Sequence, residues 1–179
     1  MHQSLERILI EEADLKARIK EMAEQISKDY AGEELLVIGL LKGAAYFLTE
    51  LTQSLTIPTQ IDFIKASSYG ACTISSGHVD IHFDTSRNVA GKNLLIVDDV
   101  VDSGMTLHEI KNIFSNRNVK SIRIAAMLDK KERRLVDVIP DYHGFVIPDE
   151  FVVGFGLDYN EEYRNLPYIG VLKREIYEK

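Results

Sequence analysis

The chain has 179 residues, 45% hydrophobic and 27% charged, which is the composition and length of one ordinary globular domain. Its one cysteine, Cys72, excludes an internal disulfide framework and any structural zinc site built on two or more cysteines, and favours a reducing compartment. With 21 basic and 28 acidic residues the net charge is −7, which argues against broad electrostatic binding to nucleic acid or anionic lipid.

The longest apolar run, Leu35 to Leu41, is far short of the roughly 18–20 residues of a membrane span. The N-terminus is charged from Glu6 onward and has no uninterrupted signal-type apolar stretch. These features predict a soluble cytoplasmic protein without membrane or nucleic-acid partners. The first clear element is a helix near Asp14 to Tyr30, with Leu15, Ile19, Met22 and Ile26 on one face and Asp14 as N-cap. A buried strand Leu35–Leu40 follows, then a turn at Lys42-Gly43, a helix near Ala44–Leu55 and a strand Thr59–Ala66. Ser67–Gly77 is small, polar and without apolar period, and reads as a mobile loop. Alternating Val79, Ile81 and Phe83 predict an exposed antiparallel strand over His78–Asp84. Next come an apolar strand Asn93–Val97, a polar loop, a helix from about Gly104 to Arg117 and a buried strand Ser121–Leu128. Short strands near Gly144–Ile147, Phe151–Val153 and Tyr168–Leu172 complete the chain. Apolar strands alternating with helices predict an α/β fold: a mostly parallel sheet flanked by helices on both faces, with an antiparallel flap and the C-terminal strands added to it.

Leu94 to Leu107, LLIVDDVVDSGMTL, carries the chemistry. A buried strand leads into Asp98 and Asp99, and Asp102-Ser103-Gly104-Met105-Thr106 opens a helix. The carboxyl edge of a parallel sheet is where such folds bind ligands. Helix-start N–H groups, with the hydroxyls of Ser103 and Thr106 and the small Gly104, suit a phosphate. The adjacent carboxylates suit sugar hydroxyls or Mg²⁺. Response-regulator receiver domains also place an acidic pair at a strand end, but after their first strand; here the pair follows several elements.

The full pattern resembles the phosphoribosyl pyrophosphate (PRPP) loop of type I phosphoribosyltransferases. Further segments resemble the hypoxanthine-guanine branch. Leu41-Lys42-Gly43, by itself an ordinary strand-to-helix turn, matches the pyrophosphate loop, in which the Leu–Lys peptide is cis. Ser68-Tyr69 matches a pair on a closing lid, and Lys130 a purine-contacting lysine. Pro148 to Leu172 matches the C-terminal signature and supplies Phe151, Val152, Asp158 and Arg164. The resemblance runs from about Leu35 to Leu172. This chain has Asp-Asp where Glu-Asp is more usual, and Ser67 where some members carry a basic residue.

The resemblance implies one phosphoribosyltransferase domain, its core about 35–145 and a small hood from the N-terminal segment and about 148–179. It implies transfer of a 5-phosphoribosyl group from PRPP to N9 of a 6-oxopurine, with Mg²⁺ as cofactor and a homodimer or homotetramer as assembly. Asp98 and Asp99 would hold the ribose hydroxyls, Asp102 to Thr106 the 5′-phosphate, and Leu41, Lys42, Gly43 and Arg164 the pyrophosphate. Lys130, Phe151, Val152 and Asp158 fall to the purine site, and Asp98, Asp99 and Asp158 to the metal. Asp102 would be the general base at purine N7. A xanthine-preferring member and a PRPP-binding nucleic-acid regulator are the alternatives. The basic run Lys130–Arg134 is expected at the site edge or an oligomer interface.

Overall fold

The structure, a computed structural model, describes residues 2–68 and 79–178. The elements in chain order are β1 (Leu5–Ile10), α1 (Glu12–Asp29), β2 (Leu35–Leu40), α2 (Ala44–Ser54), β3 (Thr59–Ser68), β4 (Val79–Phe83), β5 (Asn93–Val101), α3 (Met105–Ser115), β6 (Ser121–Asp129), a 3-10 turn Lys131–Arg133, β7 (Tyr142–Val146), β8 (Val152–Val153), β9 (Ile169–Leu172) and α4 (Arg174–Tyr177). The fold is α/β, as its pattern of apolar strands and amphipathic helices predicts.

Six strands form the main sheet in the order β4-β3-β2-β5-β6-β7. All neighbouring pairs are parallel except the antiparallel β3–β4. All six residues of β2 are buried, as a strand covered on both faces requires. Helix α1 buries Leu15, Ile19, Met22, Ala23 and Ile26 in the main core, and α2 adds Phe47, Leu48 and Leu51. The chain leaves β2 toward β3 and leaves β5 toward β6, on opposite sides of the β2–β5 pair. Right-handed crossovers therefore put α2 and α3 on opposite faces. The adjacent β2 and β5 make a topological switch point, with a crevice outside their carboxyl ends.

The hood is an antiparallel sheet in the order β1-β9-β8, which joins the two ends of the chain. It has its own small core of Leu5, Val153 and Leu172, covered by Tyr159, Tyr163, Leu166, Tyr168, Ile176 and Tyr177.

Three sequence expectations need correction. The strand β1 was not foreseen: its register against β9 shifts twice, so its apolar residues do not alternate cleanly. Helix α1 starts at Glu12 with Glu11 at the cap position and no side-chain capping bond, so Asp14 lies in the first turn and is not the N-cap. Strand β5 runs on to Val101, because β6 keeps pairing with it at Asp98↔Ala126, Val100↔Leu128 and Val101↔Asp129. The acidic pair is therefore on the strand, not in a loop beyond it. Tyr69 and residues 70–77 of the expected loop lie outside the described residues, and Ser68 is described only as the last residue of β3.

Candidate active site

Four segments meet in the crevice, and Gly43 shows how closely. A Cβ on Gly43 would overlap the Asp99 carboxylate, and a Cβ on Gly156 would overlap the Gly43 carbonyl. The turn after β2, the end of β5 and the stretch between β8 and β9 are thus in direct contact. The Leu41–Lys42 peptide in that turn is cis, as the resemblance implied.

Asp98 Oδ1 accepts the Asp99 N–H at 3.0 Å, and Asp99 Oδ1 accepts the Val100 N–H at 2.9 Å. Burial pushes both carboxyls above the usual carboxylate range, and the neighbouring Asp99 charge pushes Asp98 further. Such a pair gains from hydroxyl donors or a cation that favour its ionised form.

Beyond β5 the chain turns sharply at Asp102-Ser103-Gly104. Gly104 has φ +82°, and the Met105 N–H donates to Ser103 Oγ at 3.4 Å. Asp98, Asp102, Ser103, Gly104 and Thr106 line a recess of about 80 Å³ at the start of α3. At about 30 Å³ per water molecule, that is room for a phosphate-sized anion at the N-terminal end of α3. Met105 is the first helical residue and does not line the recess.

The loop is held from behind by Arg134, a residue the sequence did not single out. A Cβ on Gly104 would lie 2.8 Å from Arg134 Cδ, so only glycine fits between loop and side chain. Arg134 Nε donates to the Asp102 carbonyl at 3.2 Å, its other nitrogens reach the Val101 and Val138 carbonyls, and it pairs with the buried Asp129 carboxylate. The Leu135 N–H donates to the Ser103 carbonyl at 3.0 Å. The run Lys130–Arg134 is therefore at the site, and two of its side chains are largely buried, Lys130 at 10% exposure and Arg134 at 15%. Asp102 Oδ1 is buried and accepts no hydrogen bond among the described residues. Arg133 Nε is 2.8 Å from it, close enough for an ion pair but out of line for a hydrogen bond.

On the hood side, Arg164 pairs with Asp158 at 2.9 Å and donates to the Gly156 carbonyl at 2.7 Å, while its Nε is buried with no partner among the described residues. Glu161 accepts from Lys42 Nζ at 2.7 Å, and its own N–H donates to Asp158 Oδ2 at 2.9 Å. Asn160, Glu161 and Tyr163 all have positive φ, a conformation that asparagine tolerates but that is uncommon for residues such as Glu161 and Tyr163. Asp158 thus stands with Arg164 and the Lys42 turn. The described residues hold no cluster of three or more His, Cys, Asp or Glu able to bind a metal ion, so Asp98, Asp99 and Asp158 are not a preformed ligand set.

The fourth segment is an aromatic and backbone surface. Lys130 Nζ donates to the Glu150 carbonyl at 2.9 Å. Phe151 is stacked on one face by Tyr177, with ring centroids 4.8 Å apart, and meets the edge of Tyr159, yet stays 37% exposed. The bond from the Leu172 N–H to the Phe151 carbonyl makes Val152↔Val171 a non-hydrogen-bonded pair. The Val152 N–H and C=O therefore point away from β9, to the open edge of β8.

The family model described as "Phosphoribosyl transferase domain" matches residues 8–160. The hypoxanthine-guanine phosphoribosyltransferase of Streptococcus thermophilus is 43% identical over 179 residues, covering 100% of this chain and 99% of the relative. That of Lactococcus lactis is 44% identical over 179 residues, covering 100% and 97%. A crystal structure of a hypoxanthine phosphoribosyltransferase from Staphylococcus aureus, 44% identical, superposes with a TM-score of 0.97 and covers 100% of this chain and 97% of that one. With the family model matching most of its length and these relatives matching all of it, the chain belongs to the phosphoribosyltransferase family, in the hypoxanthine-guanine branch.

Proposed function

We propose that this protein is a purine salvage enzyme that transfers the 5-phosphoribosyl group of PRPP to N9 of hypoxanthine or guanine and releases pyrophosphate. The carrying observation is a pair of buried polar atoms without hydrogen-bond partners among the described residues. Asp102 Oδ1 is an acceptor and Arg164 Nε is a donor. The first stands ready for a proton leaving the purine, the second for an oxygen of the departing diphosphate. A buried donor without an acceptor, such as Arg164 Nε, costs about 1–3 kcal/mol, which a ligand can recover, whereas Asp102 Oδ1 faces the Arg133 guanidinium.

In the reaction the N9–C1′ bond forms as the bond from C1′ to pyrophosphate breaks, and the proton on N7 passes to Asp102. The recess at Asp102, Ser103, Gly104 and Thr106 anchors the 5′-phosphate. Asp98 and Asp99 accept hydrogen bonds from the ribose hydroxyls. Lys42, the backbone at Leu41 and Gly43, and Arg164 hold the leaving group, whose developing charge they stabilise. Phe151 gives its open face to the base, Val152 reads the base edge with the backbone groups that β9 leaves unpaired, and Lys130 donates to O6. Mg²⁺ fits here, since it takes one or two carboxylates and completes its shell with phosphate oxygens and water. One or two of Asp98, Asp99 and Asp158 would hold it, and it would neutralise the diphosphate. No helix among the described residues is long and apolar enough to cross a membrane. Family membership supports small-molecule substrates, a homodimer or homotetramer, and a place in the cytoplasm.

The test is direct. The protein, PRPP and hypoxanthine should give inosine monophosphate and pyrophosphate in equal amounts, and a chelator should stop the reaction until Mg²⁺ is restored. Absence of the nucleotide, or turnover that survives chelation, would reject the proposal or its metal requirement respectively.

A further inference from the structure

Arg133 sits on the 3-10 turn after β6 and touches two loops that belong to different parts of the site. Its Nε is 2.8 Å from Asp102 Oδ1 on the phosphate loop, and its Nη1 is 3.1 Å from Asp149 Oδ1 on the loop before β8. Asp149 belongs to the purine side. It also stands 3.7 Å from Lys130 Nζ, and the next residue, Glu150, gives Lys130 its carbonyl acceptor at 2.9 Å. The guanidinium therefore lies between the carboxylate that takes the purine proton and the loop that carries Phe151 and Val152.

The neighbouring arginine does a separate job. Arg134 holds the backbone of Asp102, while among the described residues Arg133 holds its carboxylate. Backbone and side chain of one residue are thus fixed independently. Arg133 is suited to this because a guanidinium is a rigid fork whose nitrogens can address two carboxylates at once, which an ammonium cannot do in the same geometry. We infer that Arg133 is a positioning residue that ties the Asp102 carboxylate to the purine loop, so that base placement and purine seating are set together. This rests on Asp102 being the general base of the proposed reaction.

All three side chains are about half exposed, 51% for Arg133, 41% for Asp102 and 48% for Asp149. Exposed pairs are individually weak. The effect of losing the bridge is therefore misplacement of Asp102 and Phe151, not collapse of the fold. PRPP binding, which uses the recess and the Arg134-held backbone, should be spared.

The experiment is steady-state kinetics with hypoxanthine and Mg-PRPP on the wild type, Arg133→Ala, Arg133→Lys, Asp149→Asn and the double variant Arg133→Ala/Asp149→Asn. Arg133→Ala should lower kcat/KM for hypoxanthine about tenfold, with a raised KM for hypoxanthine and a KM for PRPP within twofold of wild type. Arg133→Lys should recover part of that loss by restoring charge at one carboxylate. The double variant should be no worse than Arg133→Ala within twofold, since both changes cut one bridge. A merely structural role would lower the active fraction and leave both KM values unchanged, and that result overturns the inference. So does an Arg133→Ala enzyme with wild-type kinetics, or losses that multiply in the double variant. If the wild type itself transfers no phosphoribosyl group, the proposed function fails and not this assignment alone.

Discussion

Replacing Arg134 by Met should separate stability from substrate binding. The Asp129 side chain is 2% exposed and its ion-pair partner is Arg134. Removing one member of a buried pair costs about 3–5 kcal/mol, because the remaining charge is stranded. For a chain of this length about 2–4 °C of Tm are lost per kcal/mol, so the midpoint should fall by roughly 6–20 °C. The loop from Asp102 to Gly104 would also lose its anchors at the Asp102 and Val101 carbonyls. The KM for PRPP should rise about tenfold, which corresponds to about 1.4 kcal/mol of lost loop positioning. A second change, Asp129→Leu, distinguishes the two effects. Apolar replacement of a whole buried pair is neutral or stabilising by about 1–4 kcal/mol. The double variant Asp129→Leu/Arg134→Met should therefore melt near the wild type yet keep the raised KM. Scanning calorimetry and PRPP saturation curves on the three proteins give both quantities. A double variant with normal PRPP KM would refute the claim that Arg134 positions the phosphate loop.

Three further outcomes are expected. Gly43→Ala places a methyl group against the Asp99 carboxylate, and overpacking of this kind costs about 1–3 kcal/mol; kcat/KM for PRPP should drop at least about tenfold in steady-state assays. Asp102→Asn should lower kcat by about 10²–10⁴-fold with PRPP KM within about threefold, as measured by nucleotide formation, because a general base is lost and the anion recess is kept. Asp29 accepts from the Tyr142 hydroxyl at 2.7 Å and from Arg123 at 2.6 Å, and these bonds, the tyrosine's first, hold its carboxyl below the usual range. A depressed folded value contributes stability above the unfolded value near about 3.9 and loses it as pH falls through the folded value. Asp29→Asn should therefore be about 0.5–1 kcal/mol less stable than wild type at pH 7, a figure reduced for solvent screening, and the gap in urea midpoints should close as pH falls through the folded value.

The order of strands and helices was legible because β2, Leu94–Val97 of β5 and Ile124–Leu128 of β6 are continuous apolar runs and α1 repeats its buried residues at helical spacing. The PRPP-loop residues were legible too, since Asp98 to Thr106 are contiguous and their spacing follows from a strand feeding a helix. Features that depend on distant pairing were not. Strand β1 forms only against β9, some 160 residues later, and its register shifts hide the alternation. The end of β5 was read at Val97 because acids follow, whereas pairing with β6 carries it to Val101. By charge alone Arg133, Arg134 and Lys130 look alike in a basic run. Only folding gives them their separate partners in Asp102 and Asp149, in Asp129 and the loop carbonyls, and in Glu150. Glu161 likewise meets Lys42 only because the segment between β8 and β9 returns over the turn after β2.

In the proposed function a 6-oxopurine is read through Lys130 and the open edge at Val152. Lysine carries donors only, so it suits O6 of hypoxanthine or guanine and faces a second donor in adenine. Sites that leave two polar groups unpaired with the wrong substrate discriminate by up to about 10⁴. One competition assay tests this: equimolar hypoxanthine, guanine and adenine with limiting PRPP and Mg²⁺, the nucleotides separated by chromatography. Inosine and guanosine monophosphates should form with adenosine monophosphate at least about 10³-fold lower, and adenosine monophosphate in comparable yield would mean that Lys130 and Val152 do not select a 6-oxopurine.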